Sequence, residues 1–297
     1  IACTSLDETN LVTCKIAHDV FGIPTTIARL RSPEFRQGDK LLEKEGFAVD
    51  HVICPEESVT RYIHQLIEHP EALQVLKFSQ NQARLVAVRV AGGSRLAENS
   101  IGEFREQHPD VPMRIVAVYR SDHELPCEGD TRVRAGDEIF ILTDRENVRR
   151  ALHAIGNPDR PVRRVMVAGG GRVGLRLARG LVGQCEVKII EATRQRAEYL
   201  AAELPADTLV LQGDCADEDL LLDENVGDMD LFIALTNDDE DNIMSAMLAK
   251  RLGARRVIAL INRRVYADMM QGSTIDIAVS PSHAVIGELL MHVRRGA

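Results

Sequence analysis

Val165-Met166-Val167-Ala168-Gly169-Gly170-Gly171-Arg172-Val173-Gly174 opens the stretch that decides the fold, which runs through an amphipathic segment to Gly183 and on to Val187-Lys188-Ile189-Ile190-Glu191. An apolar run of strand length ends on Gly-x-Gly-x-x-Gly, a helical pattern follows, and a second apolar run ends on an acid. Each part suits a dinucleotide. Gly169 permits a tight turn out of the strand, Gly171 lets the backbone approach a pyrophosphate, and Gly174 lets the helix pack close to the sheet. A helix N-terminus offers free N–H groups and the positive end of its dipole to phosphate. Glu191 lies where a carboxylate accepts hydrogen bonds from ribose hydroxyls. The bland alternative for such a segment is a tight strand-to-helix turn with no ligand.

Outward from this stretch, composition narrows the classes. A length of 297 residues suggests roughly two domains. No apolar run reaches the roughly 18–20 residues needed to span a bilayer, so no direct membrane insertion is expected. The start, Ile1-Ala2-Cys3-Thr4-Ser5, has no basic segment ahead of an apolar one, as a secretory signal would. The six cysteines are scattered without a Cys-x-x-Cys pair, which points to isolated thiols in a reducing, cytosolic protein. A net charge of −9 argues against nucleic acid as a partner. The basic groups Arg145, Arg149 and Arg150, and Arg160, Arg163 and Arg164, read as solvated surface.

The chain contains a repeat. Ile233-Ala234-Leu235-Thr236-Asn237-Asp238-Asp239-Glu240-Asp241-Asn242 aligns with Ile1-Ala2-Cys3-Thr4-Ser5-Leu6-Asp7-Glu8-Thr9-Asn10, and six of these ten positions are identical. Both segments continue as a helix stopped by glycine, at Gly22 and Gly253. Each then gives a strand, with Ile27-Ala28 and Ile258-Ala259, and a further strand closed by Pro55 or Pro281. Ser5 or Asp7 is expected to cap the first helix. Asp238, Asp239, Glu240 and Asp241 are expected to cap and complement the dipole of the second. A helix from Glu34 to Glu45 is also expected. No glycine-rich turn precedes Ile1 and residue 1 is not Met, so the chain is expected to begin partway through a first unit.

Between the copies the apolar period shifts towards two. Strands are expected around Val75–Phe78, Leu85–Val90, Arg114–Arg120 and Ile139–Leu142, with a turn at Ser121–Glu124, a short helix from Ile101 and a closing helix from Asp144 to Ile155. The expected fold class is therefore α/β: Rossmann-like doubly wound parallel sheets, the first incomplete, with a small α+β domain between them. The domain reading is 1–70 for the rest of the first Rossmann-like unit and its crossover helix, 71–155 for the α+β domain and 156–163 for a linker. Residues 164–281 form the second Rossmann-like unit and 282–297 a crossover helix.

In a doubly wound sheet, ligands sit beyond the carboxyl ends of the strands. The readable ends are Gly169–Gly174, Glu191, Gly213-Asp214-Cys215 and Thr236-Asn237-Asp238. Asp214 is placed towards an adenosine, and Thr236 and Asn237 near phosphates or ribose. Catalytic companions are not evident: there is no Tyr-x-x-x-Lys, no phosphate-loop NTPase motif and no cluster with metal-ligand spacing. Binding without catalysis is what these residues favour.

The order of modules, the repeat, and the phrases Asp-Glu-Thr-Asn (7–10) and Thr-Asn-Asp-Asp-Glu-Asp-Asn-Ile-Met-Ser-Ala-Met-Leu-Ala-Lys-Arg (236–251) resemble the TrkA family. These are cytosolic regulatory subunits of bacterial Trk potassium-uptake systems, built of tandem RCK (KTN) units. The resemblance implies RCK N-domains flanking an RCK C-domain, and NAD(H) as ligand with ATP or ADP competing. It also implies a homo-oligomeric ring under a Trk-type potassium-translocating membrane subunit, and a cytoplasmic location at the inner face of the cell membrane through that partner. By position it assigns Thr4, Ser5 and Arg29 to a first nucleotide site. Gly169, Gly170, Gly171, Arg172, Val173 and Glu191, with Asp214, Thr236 and Asn237, fall in a second. Arg29 aligns with Leu260, so the two sites should differ. The alternatives are an NAD-dependent oxidoreductase and an RCK regulator of another cation channel or antiporter.

Overall fold

The computed structural model describes residues 1–35, 39–78, 82–97, 99–121, 123–156, 161–270, 274–282, 284–286 and 289. They fall into two compact units, one of Ile1–Arg61 with Arg164–Ala297 and one of Tyr62–Arg163.

The chain begins with α1 (Asp7–Asp19), β1 (Ile27–Arg29), a 3₁₀ turn at Pro33–Phe35, α2 (Asp39–Leu42), β2 (His51–Ile53) and α3 (Pro55–Glu68). Ala2 bridges Ala28 in parallel, and Ala28 pairs in parallel with Val52. Leu11 and Cys14 of α1 close over Ala2, Ala28, Leu30 and Val49. Gly22, at φ +64°, turns the chain out of the helix where a side chain would be strained. Two expectations are corrected here. The residue before α1 is Leu6 and no side chain caps the helix. Of the expected Glu34–Glu45 helix, only a 3₁₀ turn and α2 are helical, and 36–38 lie outside the described residues. The turn after α2 is closed by the Phe47 N–H on Leu41 O, which ends the helix early.

The second unit continues with β3 (Ala72–Phe78), β4 (Ala83–Arg89), α4 (Ile101–Gln107), β5 (Met113–Arg120), β6 (His123–Leu125), β7 (Glu138–Asp144) and α5 (Val148–Ile155). Its sheet is antiparallel in the order β3-β4-β7-β5-β6. One face carries Val86, Val88, Ile139 and Ile141, which bury against Phe104 of α4 and Val148, Leu152 and Ile155 of α5. Ser100 and Glu103 form a reciprocal capping box at the start of α4. The expected turn at Ser121–Glu124 is instead partly strand, since His123–Leu125 pairs with Val118–Arg120; Asp122 lies outside the described residues. A three-residue edge strand with one apolar residue, Leu125, leaves no period-two signal. The closing helix starts at Val148, because the Asp144 carboxylate accepts the N–H groups of Glu146 and Asn147 at 3.1 and 2.9 Å in a turn ahead of it.

The chain then returns to the first unit with β8 (Arg164–Ala168), α6 (Arg172–Leu181), β9 (Glu186–Glu191), α7 (Arg194–Glu203), β10 (Leu209–Gln212) and α8 (Glu218–Asp223). There follow β11 (Leu231–Ala234), α9 (Asp239–Arg251), β12 (Val257–Leu260), α10 (Arg264–Met270) and β13 (Ile277–Val279). Six parallel strands lie in the order β10-β9-β8-β11-β12-β13. The order reverses on either side of β8, which defines a doubly wound sheet and its switch point. Central strands buried on both faces read as unbroken apolar runs, and Val165, Met166, Val167 and Ala168 are all fully buried. Leu177, Ala178 and Leu181 of α6 pack inward at helical spacing while Arg172 and Arg179 face out. Residues 281, 282, 284–286 and 289 are helical; the rest of the expected 282–297 helix lies outside the described residues.

Candidate functional site

The site grows from the carboxyl end of β8. Gly169 takes φ +101°, and a Cβ there would stand 2.9 Å from the backbone of Leu235 and Thr236, so the turn out of β8 is pressed against the end of β11. Gly174 has the same requirement from the helix side, since its Cβ would meet Gly169 O at 2.1 Å. Gly170, an unrestricted position in the motif, is also closed: a Cβ would strike the Leu200 side chain at 2.1 Å. Gly171 differs, with nothing within 4 Å of a Cβ. It is the residue before α6, and no side chain caps that helix. The first N–H groups of α6, from Arg172 and Val173 onward, therefore start at an open position with the helix dipole behind them, which is how backbone binds phosphate.

Glu191 ends β9 beside this turn. One carboxylate oxygen accepts the Gly170 N–H at 2.9 Å and the other the Thr193 N–H at 2.9 Å. Arg196, in the first turn of α7, donates through Nε to Gly170 O at 2.8 Å and through Nη2 to Gly171 O at 3.4 Å. The Gly170 peptide is thus held on its N–H side by an acid and on its carbonyl side by an arginine. Next along the sheet edge, the Gly213 N–H bonds Glu191 O at 3.1 Å, and the exposed Asp214 follows, its carboxylate accepting the Ala216 N–H at 2.8 Å.

At the end of β11, Thr236 is fixed by Asn242. The Asn242 carbonyl oxygen accepts the Thr236 N–H at 2.8 Å, and its amide donates to Thr236 O at 3.1 Å and Leu260 O at 2.9 Å. Asn237 is exposed in the bend that follows. Of the four acids at the start of α9, only Asp238 caps the helix, accepting the Asp241 N–H at 3.0 Å. Asp239 is buried and turned away: it accepts the N–H groups of Asn262 and Arg263, each at 2.8 Å, and so ties the loop after β12. Burial pushes this carboxyl up, but those N–H groups outweigh it and hold it below the usual aspartate value. Asp241 goes the other way, raised by burial and by the neighbouring carboxylates of Asp238, Asp214 and Glu240.

The first copy repeats this geometry. Asn10 accepts the Thr4 N–H at 2.7 Å and donates to Thr4 O at 3.2 Å and Arg29 O at 2.8 Å. Asp7 accepts the N–H groups of Arg31 and Ser32, each at 2.8 Å. Arg29 therefore occupies the place of Leu260 in the second copy, and its guanidinium reaches back to Thr4 O. Thr4 and Ser5 are exposed beside it. So the structure gathers Thr4, Ser5 and Arg29 at one strand edge and Gly169–Gly174, Glu191, Asp214, Thr236 and Asn237 at another. Sequence reasoning missed Arg196, the Leu200 contact and the Asn10 and Asn242 pins. Only the asparagines left a signal, as identical residues in the repeat.

A glycine turn at the switch point of a parallel sheet, an acid at the tip of the neighbouring strand and a separate α+β unit define a Rossmann-like protein of the RCK class. The comparisons agree. Residues 165–281 match the TrkA-N domain and residues 85–156 the TrkA-C domain. The chain is 45% identical over 296 residues to the Trk system potassium uptake protein TrkA of Vibrio alginolyticus, covering 99% of this chain and 64% of that protein. It is 44% identical to that of Halomonas elongata, covering 100% of this chain and 65% of the relative, and 42% identical to that of Haemophilus influenzae, with the same two shares. The chain is similar to these TrkA proteins along nearly its whole length, and it spans just under two thirds of theirs. Among solved structures, the GsuK RCK domain superposes with a TM-score of 0.65 at 19% identity, covering 99% of this chain and 62% of that one. A GsuK channel bound to NAD does so with a TM-score of 0.64 at 19% identity, covering 98% and 50%. At such identity the likeness is one of fold.

Proposed function

We propose that the chain is part of a cytoplasmic regulatory subunit that gates a Trk-type potassium-translocating membrane subunit in response to NAD(H) and to ATP or ADP. The observation that carries this reading is the open, uncapped glycine turn beside Glu191 in a chain 42–45% identical to potassium uptake proteins over nearly its whole length. NAD(H) sits with its pyrophosphate on Gly169–Gly174, including the N–H groups of Arg172 and Val173, and its adenosine ribose on Glu191. Asp214 faces the adenosine half, and Thr236 and Asn237 border the phosphates. Thr4, Ser5 and Arg29 belong to a first site of different selectivity. ATP and ADP compete for the same kind of site. The NAD named with the GsuK channel supports the choice of ligand.

Gating follows from differential affinity: a ligand shifts two conformations only by as much as it prefers one. A dinucleotide and a triphosphate place charge differently at the glycine turn, and α3 leads from the repeat into the α+β unit. Copies assemble into a ring. The exposed stripe of Val12 and Ile16 on α1 and Val20 just after it, 48%, 47% and 71% exposed, supports assembly, since apolar surface at helical spacing is costly left in water. No described helix is long and apolar enough to cross a membrane; the proposed tie to the membrane is the Trk-type subunit. The test is rubidium flux in vesicles holding a Trk-type membrane subunit. Flux should change when ATP replaces NADH in the presence of the protein, and flux indifferent to both nucleotides would contradict the reading.

A further inference from the structure

Arg196 is half-buried at the glycine turn, and among the described residues it has no carboxylate partner. Of the other arginines on α6 and α7, Arg176 pairs with Glu57, Arg179 with Glu203 and Arg194 with Glu198, while the exposed Arg172 at the start of α6 has no carboxylate partner among the described residues. Arg196 instead spends two donors on the neutral carbonyls of Gly170 and Gly171 and lies over the Tyr199 ring at 4.7 Å. A guanidinium carries five donors, so it retains others and its full charge beside the open N-terminus of α6. Partly desolvated cations are kept where an anion balances them. Glu191, the acid at the same turn, accepts the N–H groups of Gly170 and Thr193 and forms no ion pair with Arg196.

We propose that Arg196 is the phosphate-reading cation of this site, holding the glycine-turn carbonyls from α7 and completing its charge balance with the adenosine-side phosphate of the bound nucleotide. This rests on the nucleotide reading of the Gly169–Glu191 site. With the carbonyls of Gly170 and Gly171 drawn towards α7, the uncapped N–H groups that start α6 are left to the ligand. The phosphate then receives backbone donors from one side and the guanidinium from the other. Tyr199 keeps the guanidinium plane in place through its ring face. The group read is the phosphate nearest the adenosine, because Glu191, one strand end away, takes the ribose. A lysine cannot reproduce this, since one ammonium on a flexible stem lacks the planar fork that spans two carbonyls and an anion.

The test uses the whole chain titrated with NADH, ADP and adenosine, for wild type, Arg196→Gln, Arg196→Lys and Glu191→Ala. Arg196→Gln should weaken NADH and ADP about tenfold or more, the scale of a charge-assisted hydrogen bond, and leave adenosine unchanged. Arg196→Lys should recover part of that loss, and the salt dependence of NADH binding should flatten in Arg196→Gln. A purely structural role would weaken all three ligands alike, and that result would overturn the proposal. Unchanged NADH affinity in Arg196→Gln while Glu191→Ala loses it would overturn the role of Arg196 and leave the site standing. Unchanged NADH affinity in both would remove the site itself.

Discussion

Asn10 and Asn242 are fully buried, and each side chain makes three bonds to backbone, tying one strand end to the end of the next. A buried polar group left without its partner costs about 1–3 kcal/mol. Asn242→Ala strands the Thr236 N–H and two carbonyls at once. It should destabilise the protein by about 3 kcal/mol, read from the urea midpoint, and a loss below about 1 kcal/mol would contradict the pin. The residues of the glycine turn were legible in the sequence because the motif's spacing states their backbone duties. Gly169, Gly171 and Gly174 have the strained, open and close-packed settings that their positions imply. Arg196 was not legible, since nothing local distinguishes it from Arg194 one turn-face away; its value comes from folding α7 back over the turn.

At the scale of elements, α1 and α9 show where local reading fails. Acids at a helix start read as caps, and Asp238 is one. Asp7 and Asp239 sit in the same kind of position, yet each is buried and holds the loop after the following strand. That partner is distant in sequence and enters only when the sheet forms. The Asp239 carboxyl is held below the usual aspartate value, so the folded state binds its proton less readily than the unfolded chain. Its contribution is complete above the unfolded value of roughly 3.9 and fades as the pH falls through the lower folded value. The stability gap between wild type and Asp239→Ala should be level from about pH 5 to 7 and narrow below about pH 4. A gap that widens on acidification would contradict this linkage. The edge strand β6 escaped for a different reason: it is three residues long with a single apolar side chain, Leu125, too short to show a period.

Across the whole molecule, the repeat sets the glycine motif beside a second copy of the same strand edge. Ala2, Ala28 and Val52 follow one another across the first copy as Ala234, Ala259 and Ala278 do across the second. The two copies of one strand edge carry Arg29 in one and Leu260 in the other, so equivalent places differ in charge. The α/β class, the parallel sheet and the antiparallel unit were readable because central parallel strands and period-two strands leave distinct apolar patterns. The grouping of residues 1–61 with 164–297 in one compact unit was not, because it depends on packing between segments far apart in the chain. We propose that the turn at Gly169–Gly174 and Glu191 holds NAD(H). It is tested most directly by the NADH dissociation constant of the wild type and of Gly171→Asp combined with Glu191→Ala. Gly171 has open space around it, so an aspartate there brings negative charge to the phosphate position without displacing a neighbour. The wild type should bind tightly and the variant should lose at least about a hundredfold, the sum of two charge-assisted contacts. Equal affinity in the two proteins would contradict it.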